Sequence, residues 1–76
     1  MKLISTLRPS TSLETKTEVI SEDCSLGQAL IMIENWCYDN DANYPSSADL
    51  WKTEGNIRVQ VRTRGNKFIN IFDIKD

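Results

Sequence analysis

Histidine is missing from this chain altogether, and with it the commonest general base and the usual partner of a nucleophilic cysteine or serine. Glycine is scarce: Gly27, Gly55 and Gly65 stand alone, so no glycine-rich loop exists to cradle a phosphate. Long apolar runs are absent too. The longest, ALIMI, falls far short of the ~20 residues that cross a bilayer, and MKLISTLRPS lacks the apolar core of a signal peptide. These gaps argue against an enzyme, a bound cofactor, a membrane span and export, and they place the chain in the cytoplasm.

Cysteine occurs twice, and the two cannot pair. Cys24 lies just before the helix expected below and Cys37 within it, so the segment between them spans roughly 19 Å at about 1.5 Å per residue. A disulfide requires Cα atoms within about 7 Å. Free, buried thiols suit a reducing compartment. Cys24 lies near a helix N-terminus, but it has no base and no resolving cysteine, which argues against a catalytic thiol.

What is present is ordinary for a folded domain. At 76 residues the chain has room for one domain, 1–76, and 26% charged with 39% apolar residues is too apolar for general disorder. A formal net charge of -2 argues against an overall grip on nucleic acid while leaving room for a local basic patch.

Periodicity supplies the elements. KLISTLR places Leu3, Ser5 and Leu7 on one face and Ile4 and Thr6 on the other, a strand ending at Pro9. PSTS then turns the chain. In LETKTEVI, Leu13, Thr15, Thr17 and Val19 alternate with Glu14, Lys16 and Glu18, which predicts a second strand with its first set toward a core. The stretch CSLGQALIMIENWCYDN is helical from Ser25, because Ser25 and Gln28 form a capping box. Leu26, Ala29, Leu30, Ile33 and Cys37 make its apolar stripe, with Trp36 on the flank and Ile31 and Tyr38 nearly opposite.

Ser46 and Asp49 read as a second capping pair, so PSSADLWKTE is expected to form a short helix that stops at Gly55 and lays Leu50 and Trp51 over Ile31 or Tyr38. Trp36 and Trp51 are both expected in the core. The terminal stretch reads as a hairpin with a type II′ turn at Gly65-Asn66. That register sets Thr63 opposite Phe68, Val61 opposite Asn70 and Arg58 opposite Asp73. Ile57, Val59, Val61, Phe68, Phe72 and Ile74 then share one face. Arg58, Gln60, Arg62, Arg64, Lys67, Ile69, Ile71 and Asp73 share the other. The fold class is α+β, a two-layer sandwich with an antiparallel sheet of about four strands on one main helix, in the order ββα(short α)ββ.

Three constellations deserve a chemical reading. Asp39, Asp41 and Asn43 match the first three ligands of an EF-hand loop, but Tyr44 stands where the turn needs glycine and Leu50 where a bidentate Glu should close the site. No metal site is expected there. Asp39 and Asp41 sit unfavourably at a helix C-terminus and, with Asp49, offer a secondary acidic surface for a partner. Arg58, Arg62, Arg64 and Lys67, interrupted by Ile69 and Ile71, mix cations with apolar anchors as protein interfaces do. A solvated outer face with arginine stems over the two isoleucines is the plain alternative. Contact with a nucleic-acid backbone is another. An RNA-stacking sheet is disfavoured, since exposing Phe68 and Phe72 would bury Arg58 and Arg62.

In length, in the capped SLGQAL helix set between strands, and in the C-terminal hairpin IRVQVRTRGNKFINIFDI, the chain resembles the small phage-encoded proteins that bind and disable host machinery, among them anti-CRISPR and host-polymerase inhibitors. The resemblance implies a non-enzymatic protein binder that sterically blocks a host nucleic-acid-handling complex. The alternative is a small nucleic-acid-binding protein that uses the basic hairpin face. Self-association through a sheet edge, or through Ile31 and Tyr38, is a third use of the surface.

Overall fold

The computed structural model describes residues 1–9 and 14–76, with Asn66 described by its backbone. Five strands, β1 (Lys2–Pro9), β2 (Lys16–Ser21), β3 (Leu50–Thr53), β4 (Asn56–Arg62) and β5 (Phe68–Lys75), form one antiparallel sheet in the order β2-β1-β5-β4-β3. One α-helix among the described residues, α1 (Leu26–Asp39), connects β2 at one edge to β3 at the other and packs across one face. The class is the expected α+β sandwich, with one strand more than expected. The PSTS turn and Leu13 lie outside the described residues, and β2 begins at Lys16.

The helix starts where its cap dictates. Ser25 Oγ accepts from the Gln28 N–H at 3.1 Å and Gln28 Oε1 accepts from the Ser25 N–H at 2.9 Å, satisfying two donors that a helix N-terminus otherwise leaves bare. Ala29, Ile33 and Cys37 enter the core with Leu3, Val59, Val61, Phe72 and Ile74 from the three central strands. Leu26, expected in the stripe, is instead exposed. Trp36 packs edge-on against Phe72, ring centroids 5.5 Å apart and planes at 79°. One polar pair is sealed into this layer. Asn70 and Ser5, both buried, exchange hydrogen bonds of 3.0 and 3.1 Å between neighbouring strands β5 and β1.

Two segments depart from expectation. The Ser46 and Asp49 cap exists, Asp49 Oδ2 accepting from Ser46 N–H and Oγ at 3.0 and 3.1 Å, yet it closes only one 3₁₀ turn, Ser47–Asp49. The chain then extends into β3, where Leu50 pairs with Val59 and packs on the core. Gly55, at φ 73°, turns the β3–β4 hairpin and does not stop a helix. Leu50 and Trp51 therefore leave Ile31 58% and Tyr38 88% exposed.

The second departure is β2. Val19 pairs with Ile4 and Thr17 with Thr6, on the sheet face away from the helix, while Glu18 lies beside buried Ser5. Its alternation is real but points away from the core. The helix covers the central strands, and an edge strand lies beyond its reach.

Candidate functional site

Direct cross-strand pairing places side chains on a common face, so the registers define the side that α1 leaves open. One row runs Trp51, Arg58, Asp73, Ile4, Val19 across all five strands. The next runs Gln60, Ile71, Thr6, Thr17, and a third Arg62, Ile69, Arg8. At the opposite end Thr53, Asn56, Lys75 and Lys2 are aligned. No helix of the described residues covers this face.

The centre is built around an ion pair. Asp73, although on the outer face, is buried, and its Oδ1 and Oδ2 accept from Arg58 Nε at 2.8 Å and Nη2 at 3.3 Å. Asn56 Nδ2 adds a longer bond of 3.4 Å. The hydrogen bond and charge of Asp73 outweigh desolvation and hold the Arg58 guanidinium protonated even more firmly than usual. Two-point bonding fixes the plane of the guanidinium. Directly opposite it stands Trp51, 48% exposed. Trp51, Thr53, Asn56, Arg58, Gln60 and Ile71 line a shallow groove, and Gln60 and Ile71 also line a second one with Thr6, Arg8, Thr15 and Ile69.

Of the partner-binding residues named from the sequence, Arg58, Arg62, Ile69 and Ile71 do share this face. Arg64 and Lys67 do not. The turn is a four-residue loop in which Gly65 takes φ 78° and ψ 7°, a left-handed conformation unlike the first central position of a type II′ turn. Arg64 is carried toward the helix exit, where its Nη1 meets Asp41 Oδ1 at 3.4 Å and its Nε donates to Asn43 Oδ1 at 3.4 Å.

For Asp41, but not for Asp39, that contact offsets the electrostatic misfit at the helix C-terminus. Asp41 sits at φ 50° just beyond the Asn40 cap, and the Ala42 N–H donates to Cys37 C=O at 2.9 Å, the 6→1 bond of a Schellman motif. The Arg64 N–H also donates to the Asp41 carbonyl at 3.0 Å. Two would-be calcium ligands, Asp41 and Asn43, thus face a guanidinium. Of the acidic surface proposed from sequence, Asp41 is paired with Arg64, Asp49 is engaged in its own turn, and Asp39 is exposed.

Sequence reading missed Trp51, Arg8 and Ile4 as members of the site. Trp51 was concealed by the capping signal ahead of it. Arg8 and Ile4 join only once β1 is known to neighbour β5, a pairing between residues more than sixty apart that no local pattern encodes. No protein-family model matches the chain, and no match is found among the curated proteins or the solved structures.

Proposed function

We propose that this chain is a non-enzymatic protein-binding module whose contact surface is the open face of the sheet. The observation that carries the reading is Trp51, half exposed, standing opposite an Arg58 already fixed by Asp73. Trp and Arg dominate interface hot spots, and an arginine locked before binding loses little entropy on contact. Burying the exposed half of Trp51, on the order of 100 Å², contributes ~2.5 kcal/mol. Ile69 and Ile71, partly buried, supply aliphatic surface between the cations.

The non-enzymatic part of the reading is supported by the lack of histidine and by Cys37, whose thiol is pushed above its ordinary pKa by burial and by the charge of Glu34. The narrower assignment, an inhibitor that blocks a host nucleic-acid-handling complex such as a CRISPR effector or polymerase in the cytoplasm, rests on the pattern resemblance to small phage proteins. No helix among the described residues is long and apolar enough to cross a membrane.

Affinity capture from host lysate tests the contact face. Wild-type chain should retain a discrete partner, and Trp51→Ala and Arg62→Glu should each lose it while circular dichroism is unchanged. Capture unaffected by both substitutions would remove the open face from consideration. Direct binding of nucleic acid is the competing reading, favoured by the excess of cations on this face. It requires affinity for bare DNA or RNA that falls steeply from low to physiological salt.

A further inference from the structure

We propose that the partner engaged by the open face is an acidic protein surface, one that presents carboxylates on either side of an apolar side chain. This inference rests on the protein-binding reading above. Among the described residues the face carries five cations, Lys2, Arg8, Arg58, Arg62 and Lys75, against two carboxylates, Asp73 within its rows and Glu22, which reaches Lys2 at the rim. The whole chain is net negative, so the charge is sorted between the two sides of the molecule.

Several of these cations are placed against their own interest. Lys2 and Lys75 are directly opposed on adjacent strands, an arrangement that costs stability unless something negative approaches. Lys2 has Glu22 at 3.4 Å. Arg8, Arg62 and Lys75 have no carboxylate in ion-pairing range among the described residues. Arg8 and Arg62 straddle Ile69 in one row, their backbones about 10 Å apart across two strand spacings. An apolar side chain seated on Ile69 and Ile71, with a carboxylate to each side, would satisfy both arginines.

The same face suits nucleic acid less well. Beside the Arg58–Asp73 pair its surface is aliphatic, Ile4, Ile69 and Ile71, where bases would need aromatic platforms. Phe68 and Phe72 point to the helix side, which leaves Trp51 as the one aromatic among the described residues of the open face. A polyanion longer than the face would also meet the acidic remainder of the molecule.

The test uses a fluorescent peptide alternating Glu and Leu through Thr spacers, with Gln-for-Glu and Lys-for-Glu counterparts and a short oligothymidylate, titrated by anisotropy. The Glu peptide should bind at least tenfold more tightly than its Gln counterpart and than oligothymidylate, and it should weaken at least tenfold against the doubly substituted Arg8→Glu, Arg62→Glu chain. That double variant should in turn prefer the Lys peptide. Equal binding of Glu and Gln peptides, no binding of either, or preference for oligothymidylate would overturn the acidic assignment. If captured protein still depends on Trp51 in that case, the contact face survives and only the partner chemistry falls. If capture is also indifferent to Trp51 and Arg62, both fall.

Discussion

Arg58→Ala removes the group that holds Asp73 and strands a carboxylate whose side chain is 9% exposed, with only Asn56 Nδ2 at 3.4 Å for company. Two unit charges about 4 Å apart attract by ~4 kcal/mol at an effective dielectric of 20. That figure is a ceiling here, because the Arg58 side chain is 52% exposed and water screens its outer half. Fully exposed pairs contribute about 0–1 kcal/mol, and breaking buried ones costs about 3–5. A pair with one partner buried and the other half out should cost about 1–2 kcal/mol on truncation. Urea denaturation measures it, with an unchanged m-value showing that the unfolded reference is the same. A double-mutant cycle with Asp73→Leu should return a coupling of about 1 kcal/mol that largely survives about 1 M salt, since burial shields Asp73 from counterions. A cost below ~0.5 kcal/mol, or a coupling that salt erases, would refute the claim that Asp73 fixes Arg58. The preorganised anchor on the open face would go with it.

Three further outcomes are expected. Ser5→Ala should destabilise by about 1–3 kcal/mol because it orphans the buried Asn70 amide, and Asn70→Leu added to it should recover part of that loss; thermal or urea unfolding that shows strict additivity would contradict the pairing. Asp41→Gly should stabilise by several tenths to about 1 kcal/mol, since glycine relieves the left-handed backbone and the exposed ion pair to Arg64 returns little; a clear loss of stability would show the ion pair to dominate. Cys37, with its pKa raised in the fold above the ordinary 9.0, contributes stability that is whole below about pH 9 and is lost as pH rises through the folded value, so unfolding midpoints should drop above pH 9 and Cys37→Ser should flatten that drop. The native thiol should also resist alkylation near neutral pH.

Legibility in the sequence followed the range of the interaction. The α1 cap depends on Ser25 and Gln28 alone, and the β4–β5 register on counting out from one turn, so both could be read, even though the loop at Gly65 is longer than the turn expected for it. Ser46 and Asp49 form the cap that their spacing predicts without the helix expected to follow, because a cap says where a turn begins and not how far it runs. For β2 the alternation of Thr17 and Val19 was visible, but which side counts as inside depends on where the helix ends laterally, a property of the assembled sheet. The site divides the same way. Arg58, Arg62, Ile69 and Ile71 came from one local register. Arg8 and Ile4 needed the pairing of the first and last strands, and Trp51 needed the strand that the cap concealed.

That pairing has a kinetic consequence. β5 lies between β1 and β4, so until Phe68–Lys75 has been made, the β1–β2 and β3–β4 hairpins have no strand to join them and α1 has no complete floor to pack on. The complete sheet must wait for β5 to be synthesised, and its pairing with β1 joins residues more than sixty apart, the kind of distant contact that slows folding. During that interval the flanks of two incomplete half-sheets are open to other chains. A cell making this protein quickly would meet its risk of aggregation at the ribosome, before β5 has emerged to close the sheet.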